Sequence, residues 1–485
     1  MEYAISSESM RLSDENTIKK YGVSAIALME RAAHAIFNVI VNGNYNKIVV
    51  VCGSGNNGGD GYALALQLLD MHKNVKVFGK IPKTDAAKHY YDILVNKYKN
   101  SYSEISALKD IENYDLVVDC LLGIGIKGDL SKEYINYINI INTGKFIISC
   151  DIASGLNSDN GLISPVAVKA DLTIAIQSYK TGHFLLDGKD YCGKLQLCDI
   201  GIEIIGEKYY ICNDDFVKNS FLPRKNNSHK GSFGRCGIVA CSKNFVGAGI
   251  LATESNVSIM GECTMRVGSG YSYLFVPDKM ISQLWGRVTH SCVYGHSELK
   301  NHKLDSIAFG MGIGENNKLF DTICNYNCLK VIDADGLNML SKNMSKIEKL
   351  KGSVLTPHVM EFSRLAKIDI ENILINPIEI AKSFAKKYNV ILLLKGSTTI
   401  VTDGDKTCLN ISGNSGLAKG GSGDVLSGII AGLLAQKIKP FNAALVASYI
   451  AGITAENLSK TNSVYSILPL DIAKEVGNTL SKIIL

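Results

Sequence analysis

The run Lys47-Ile48-Val49-Val50-Val51, Cys52-Gly53-Ser54-Gly55-Asn56-Asn57-Gly58-Gly59-Asp60-Gly61, Tyr62-Ala63-Leu64-Ala65-Leu66 passes from a β-branched stretch through a glycine-rich turn into a helical one. Another β-branched stretch, Val75-Lys76-Val77-Phe78, follows at the spacing of a strand–helix–strand unit. That pattern predicts a parallel sheet covered by helices. Leu116-Val117-Val118-Asp119 and Phe146-Ile147-Ile148-Ser149-Cys150-Asp151 extend it, each ending in an aspartate. Ligands of open parallel sheets bind outside the carboxyl ends of the strands, so the glycine-rich turn, Asp119 and Asp151 are expected to converge. A tight structural connection explains the glycines equally well. Such a connection has no need of Asn56, Asn57 and Asp60, whose side chains coordinate or hydrogen-bond.

Around these residues lie Leu121-Leu122-Gly123-Ile124-Gly125-Ile126-Lys127-Gly128 and Ile152-Ala153-Ser154-Gly155-Leu156. They place flexible backbone and a hydroxyl beside the carboxylates. Carboxylate, amide and hydroxyl oxygens suit a hard monovalent or divalent cation.

At 485 residues the chain is too long for one ordinary core and is read as two domains. The stretch 203–228, with Pro223 and Lys225-Asn226-Asn227-Ser228, has low periodicity and is the expected linker. Beyond it Cys236-Gly237-Ile238-Val239-Ala240 and Val390-Ile391-Leu392-Leu393-Leu394 restart the buried-strand pattern, so the second half is also α/β. The two halves show no self-similarity that would indicate duplication.

The net charge of +5 comes from 51 basic and 46 acidic residues without a long block of one sign, so no nucleic-acid or membrane arm is expected. The N-terminus lacks a secretory pattern, and no run reaches the roughly 18 apolar residues of a membrane span. A cytoplasmic protein is expected. The 13 cysteines are scattered, and Cys324 and Cys328 lack a second pair that would make a zinc site, so they are read as reduced thiols.

The strongest chemical signal is Asn414-Ser415-Gly416-Leu417-Ala418-Lys419-Gly420-Gly421-Ser422-Gly423-Asp424, running into the apolar Val425-Leu426-Ser427-Gly428-Ile429-Ile430-Ala431-Gly432. Glycines at a helix start expose N–H groups to an anion, and the helix dipole adds to the attraction. Asp424 stands where it could take a proton from a hydroxyl receiving a phosphoryl group. An aspartate placed only to complement the dipole is the bland alternative. Upstream, Lys395-Gly396-Ser397-Thr398-Thr399-Ile400-Val401 leaves a strand with cation and hydroxyls suited to nucleotide phosphates. A surface hairpin accounts for the Asp403-Gly404 turn alone.

Residues 1–210 resemble the epimerase domain of NAD(P)H-hydrate repair enzymes. The resemblance rests on Asn56-Asn57-Gly58-Gly59-Asp60-Gly61, Asp119-Cys120-Leu121-Leu122-Gly123-Ile124-Gly125, Asp151-Ile152-Ala153-Ser154-Gly155 and Leu28-Met29-Glu30-Arg31-Ala32. It implies an N-terminal Rossmann-like three-layer domain and a potassium ion held by Asn57, Asp119 and Ser154. The implied substrate contacts are Asn56, Asn57, Gly58, Gly59, Asp60, Gly123, Ile124, Gly125, Ile126, Lys127, Gly128, Asp129 and Asp151. Asp151 is the candidate for moving the proton that lets hydroxide leave and return on the other face of the ring; a plain cation ligand or structural carboxylate is its alternative. Ala153 stands where the family usually has proline, which is expected to relax the turn from Asp151 to Ser154.

Residues 215–485 resemble the ribokinase-like fold, and within it the ADP-dependent NAD(P)H-hydrate dehydratases. Besides the glycine run, the motifs are Lys230-Gly231-Ser232-Phe233-Gly234-Arg235, Gly247-Ala248-Gly249, Ala308-Phe309-Gly310-Met311-Gly312, Asp333-Ala334-Asp335-Gly336-Leu337-Asn338 and Leu355-Thr356-Pro357-His358. The resemblance implies hydrate contacts at Ala248, Gly312, His358 and Asp424, and nucleotide contacts at Lys395, Gly396, Ser397, Thr398, Thr399 and Gly423. Val359-Met360-Glu361 replaces the family's proline-glycine-glutamate, and the loop is expected to be bulkier and less turned. Glu361 could help hold Mg2+ through water or be a solvated loop carboxylate.

Together these resemblances imply a bifunctional enzyme. One half would interconvert (R)- and (S)-NAD(P)H hydrate, and the other would dehydrate the S form with ADP, releasing AMP and phosphate. The expected partners are NADHX, NADPHX and ADP, with K+ in the first domain and Mg2+ in the second, in a homo-oligomer without nucleic acid or membrane. A vitamin or sugar kinase fused to a ligand-binding Rossmann-like module is the alternative, because one anion hole with an aspartate also serves stable phosphoryl transfer.

Overall fold

The computed structural model describes residues 1–125, 128–242, 259–284 and 288–485. The chain forms two compact units, Tyr3–Tyr209, and Tyr210–Leu485 together with Met1–Glu2.

In the first unit seven strands form one sheet in the order Tyr102–Glu104, Asn74–Gly79, Lys47–Cys52, Leu116–Cys120, Ile147–Cys150, Leu172–Ile176, Lys194–Cys198. Every neighbouring pair is parallel. Alternate residues serve opposite faces, as the strand period requires. Ile48, Val50 and Val118 pack with the Ala25–Val41 and Asn56–Asp70 helices, whereas Val49, Val51 and Val117 pack with Tyr137, Ile138 and Ile141 of the Lys132–Ile141 helix. Burial on both faces explains the nearly unbroken apolar runs. The result is the expected three-layer α/β unit. From the Lys47–Cys52 strand the chain builds outward to one side and then returns to start Leu116–Cys120 on the other. The gap between these two strand ends is a topological switch point, where such sheets bind ligands.

The glycine-rich stretch differs from its sequence reading. The helix begins at Asn56, so Gly58, Gly59 and Gly61 lie within a helix and not in a turn. Their lack of a side chain is used for contact. A Cβ on Gly58 would lie 2.0 Å from the Gly53 carbonyl oxygen, one on Gly59 would lie 2.6 Å from Met29 Sδ, and one on Gly61 would lie 2.7 Å from Cys52 Sγ. Gly53 itself abuts the neighbouring loop, where a Cβ would fall 1.8 Å from the Leu121 carbonyl oxygen. Gly53→Ala is therefore expected to force these loops apart and destabilise the unit by about 3 kcal/mol, read as a lowered urea midpoint. An unchanged midpoint would show that the approach is not tight.

In the second unit the sheet runs Cys292–Gly295, Tyr271–Val276, Arg235–Val239, Ser306–Phe309, Leu329–Ile332, Val354–Leu355, Ile391–Leu394, Thr399–Thr402, Thr407–Asn410, Tyr209–Ile211. It is parallel except where Thr399–Thr402 pairs antiparallel with both neighbours. The Ser422–Ala435 helix is buried continuously from Val425 to Ala435, which its apolar character on all sides requires. The division between the two units falls within the stretch 203–228, between Tyr209 and Tyr210, but that stretch is itself structured. It includes the strand Tyr209–Ile211, paired with Thr407–Asn410, and the helix Asp214–Ser220, capped by Asn213 and anchored by buried Val217. Short elements of this kind carry too few apolar positions to register as periodic. No described helix is long and apolar enough to cross a membrane.

Candidate active sites

At the switch point of the first unit Asp119, next to last in its strand, is fully buried. One carboxylate oxygen accepts from Ser154 Oγ at 2.6 Å and Leu121 N–H at 3.2 Å; the other accepts from Ser149 Oγ at 2.8 Å and Ser154 N–H at 3.0 Å. Burial pushes the Asp119 carboxyl up from its ordinary value, and these hydrogen bonds oppose the shift. Asn57, in the first turn of its helix, donates to the Leu122 carbonyl at 2.9 Å, and Leu122 N–H donates to Ser154 Oγ at 2.8 Å. The fold thus brings Asn57, Asp119 and Ser154 together around Leu122. Asn57 Oδ1 is buried without a protein partner. Leaving a buried acceptor unmet costs about 1–3 kcal/mol, and a hard cation is a partner that fits it.

Asp151 follows its strand in the left-handed region, with φ of 62°. Its carboxylate is paired with the ammonium of fully buried Lys180, and its carbonyl lies 2.8 Å from His183 Nε2. Burial lowers His183 to about 4, so the ring is neutral. Two further carboxyls feel this pair. Burial first, and then the Asp151 charge, raises Asp60 well above its ordinary value. Asp14 rises to about 6, chiefly through burial.

The remaining residues expected at the first site are more dispersed. Asn56 Oδ1 accepts from Thr84 Oγ1 at 2.8 Å on the surface. Gly58 and Gly59 are committed to packing, as above. A Cβ on Gly123 would touch Asn57 Cβ at 3.1 Å, whereas one on Gly125 would meet nothing within 4 Å. The Ile124 carbonyl receives Ser158 Oγ at 3.4 Å, and Ser164 Oγ reaches the Gly128 carbonyl and Asp129 Oδ1 at 3.4 and 3.1 Å. Ile126 and Lys127 lie outside the described residues. Ala153 is buried, and the turn containing it is tied down by the Ser154 bonds to Asp119.

In the second unit Gly421 adopts φ of 98° and caps the Ser422–Ala435 helix, so Ser422, Gly423 and Asp424 form its first turn. Burial first, and then the nearby Asp333 carboxylate, raises Asp424 to about 7, with Lys395 acting in the opposite direction. Asp333 directly follows the Leu329–Ile332 strand and is almost fully buried. Its oxygens receive Lys395 Nζ at 2.9 Å, Ala334 N–H at 2.9 Å and Ser427 Oγ at 3.1 Å. A Cβ on Gly423 would lie 3.2 Å from Asp333 Oδ2 and 3.8 Å from Lys395 Nζ. The helix start thus approaches this pair closely, and a side chain at 423 would need Asp333 to give by a few tenths of an ångström.

Lys395 lies in the hairpin turn between Ile391–Leu394 and Thr399–Thr402. Its ammonium is shared between Asp333 and, at 3.9 Å, Glu361. Within that turn Gly396 and Ser397 are exposed, Thr398 is buried and Thr399 opens the returning strand. Gly312 is left-handed at φ 63°, with open space where a Cβ would point. Ala248 and its glycine neighbours lie outside the described residues.

The segment after His358 differs from expectation. It is not a loop but the start of a helix, Val359–Ala366. His358 Nδ1 accepts from Met360 N–H at 3.1 Å, and Glu361 accepts from His358 N–H at 2.9 Å. This reciprocal capping stabilises a helix start without proline or glycine. Glu361 is buried, so it is not a solvated carboxylate.

Sequence reasoning assigned no role to Lys180, His183, Asp14 or Asp333. Asp333 had a signal, since it ends an apolar run as Asp119 and Asp151 do. Lys180 and Asp14 look like surface charges in the sequence, and only the fold buries the first and half-buries the second. A cavity of about 1040 Å³ beside the Ala25–Val41 helix, lined by Glu30, Arg31, Gln67 and Gln196 among others, includes none of the residues above.

Comparisons with known proteins agree in both units. The family described as YjeF-related protein N-terminus matches residues 25–182, and the NAD(P)H-hydrate dehydratase family matches residues 236–478. The bifunctional NAD(P)H-hydrate repair enzyme Nnr of Helicobacter pylori is 30% identical over 488 residues, covering 97% of this chain and 98% of its own. The enzyme of the same name from Dictyoglomus turgidum is 29% identical, covering 99% and 98%. Among solved structures, a ribokinase-like superfamily protein from Enterococcus faecalis superposes with a TM-score of 0.50 at 26% identity, over 57% of this chain and 96% of that one. Two family matches in tandem and relatives aligned end to end, one of them 30% identical over 97% of this chain, place it in the family of bifunctional NAD(P)H-hydrate repair enzymes.

Proposed function

We propose that the chain epimerises (R)- and (S)-NAD(P)H hydrate in its first unit and dehydrates the S epimer in its second, with ADP as phosphoryl donor. The observation that carries the second reaction is Asp424, at the first turn of a buried helix behind left-handed Gly421, with its carboxyl pushed up to about 7. The N–H groups of that turn and the helix dipole stabilise the transferring phosphoryl group. Asp424 accepts the proton of the hydrate's hydroxyl as the phosphoryl group arrives. Ring nitrogen electrons then expel phosphate to give an iminium, and loss of a proton from the adjacent ring carbon restores the dihydropyridine, so that AMP, phosphate and a proton are released.

Lys395, Gly396, Ser397, Thr398, Thr399 and Gly423 are proposed to face the nucleotide, and Gly312, His358 and Ala248 the hydrate. Among the described residues no three His, Cys, Asp or Glu side chains are grouped to hold a metal ion. Asp333 and Glu361 are the carboxylates that could assist a Mg2+ ion carried by the nucleotide phosphates, which would neutralise phosphate charge.

In the first unit Asn57, Asp119 and Ser154 are the proposed potassium ligands. The unpaired Asn57 Oδ1 supports the assignment. Bound there, K+ would supply positive potential for an anionic part of the substrate. Asp151 moves the proton that accompanies departure and return of hydroxide.

Mixed-epimer hydrate incubated with ADP is expected to convert completely to reduced nicotinamide, followed by absorbance; a lasting phosphoester in its place would indicate a kinase. Because Asp424 must be ionised to act as base, the dehydration rate is expected to rise through about pH 7. Asp333→Asn removes the neighbouring charge that helps raise it, so the rising limb should move to lower pH. An unmoved limb would assign that limb to another group.

A further inference from the structure

Asp151 is gripped more thoroughly than a strand end requires. The left-handed region is unfavourable for a residue with a Cβ, yet Asp151 occupies it at φ 62°. Its N–H is held by the Ile174 carbonyl at 2.9 Å. His183 Nδ1 accepts the Lys180 backbone N–H at 3.2 Å, so the neutral ring carries its proton on Nε2 and donates it to the Asp151 carbonyl at 2.8 Å. The Lys180 ammonium pairs with Asp151 Oδ1 and donates to the Ile176 carbonyl at 2.9 Å. Ile176 N–H reaches the same Oδ1 at 3.0 Å. Among the described residues, no donor reaches Oδ2.

Two other carboxyls face this pair, Asp14 from the Ser7–Tyr21 helix and Asp60 from the Asn56–Asp70 helix. Buried Cys150 adjoins it in the chain and feels the Asp151 charge. Asp151 is thus paired with a buried ammonium whose charge Asp14 and Asp60 also feel. Without that cation, like-charge repulsion and burial would both work against ionised Asp151.

We propose that Lys180 and His183 are positioning residues for epimerisation: the ammonium occupies one oxygen of Asp151 and leaves the other for the substrate proton, while the imidazole locks the backbone turn that presents it. This inference rests on the reading of Asp151 as the group that moves the proton.

The test is epimerisation of hydrate by the full chain, with kcat, KM and the pH profile measured for Asp151→Asn, Lys180→Met, Lys180→Arg and His183→Gln. Lys180→Met is expected to lower kcat about 100-fold and to move the acid limb up by about one pH unit, with KM changed less than about two-fold. Lys180→Arg, which keeps the charge, should return the limb to its parental position. His183→Gln should lower kcat without moving the limb. An unshifted profile in folded Lys180→Met would show a merely structural lysine and overturn the inference while leaving Asp151 in place. Full activity of Asp151→Asn would instead remove the reading on which the inference rests. Should Lys180→Met fail to fold, parental rates in both Lys180→Arg and His183→Gln would overturn the proposal.

Discussion

Asp424→Asn is expected to abolish ADP-dependent dehydration, lowering kcat by about a thousand-fold, while making the protein more stable at pH 8. The two effects have one cause. A carboxyl raised to about 7 holds its proton more tightly in the folded protein than in the unfolded chain, where it titrates near 4. Its contribution to stability is present in full below about pH 4 and is lost as pH rises toward about 7. At pH 8 the folded protein carries an ionised, largely buried carboxylate beside Asp333. Asparagine has no charge to bury, so the variant should gain about 2 kcal/mol at pH 8 and nothing below pH 4. Activity with hydrate and ADP, together with denaturation at the two pH values, checks both halves. Retained turnover would take the proton-accepting role away from Asp424; equal stability at pH 8 would mean that the site pays nothing to keep this carboxylate.

Asp119→Ala should be the most damaging single change in the first unit. The wild-type carboxylate satisfies four donors in a fully buried position. Alanine leaves Ser149, Ser154 and Leu121 without their acceptor and opens a cavity, so a loss of about 4 kcal/mol is expected. Ser154 and the Leu121-Leu122 backbone to which Asn57 bonds lose their common anchor, and epimerisation should disappear. Dehydration of the S epimer by the second unit should persist, so a mixture would be consumed only in part. Wild-type stability, measured by denaturant titration of the variant, would show that the network is not what holds these loops.

Much of the fold was legible because it depends on local pattern. Lys47–Cys52 and Leu116–Cys120 are nearly unbroken apolar runs since both sheet faces are covered, and a glycine-rich start before an apolar helix is a local signal. The short elements inside 203–228 and the helix after His358 were not legible. Tyr209–Ile211 is a strand only because Thr407–Asn410, far along the chain, offers it an edge. Val359–Ala366 starts without the expected proline or glycine because His358 and Glu361 cap one another.

The candidate sites divide along the same line. Asp119, Asp151 and Asp424 could be named from sequence because each stands at the end of a strand or the beginning of a helix, and chain direction alone decides which end faces a ligand. Burial decided the rest. Whether Lys180 is a solvated surface lysine or the buried partner of Asp151, and whether Asp333 is a bystander or the charge that raises Asp424, depends on which elements close over them. That is a long-range property, since the cost of desolvating a charge and the reward for pairing it come from residues remote in the chain.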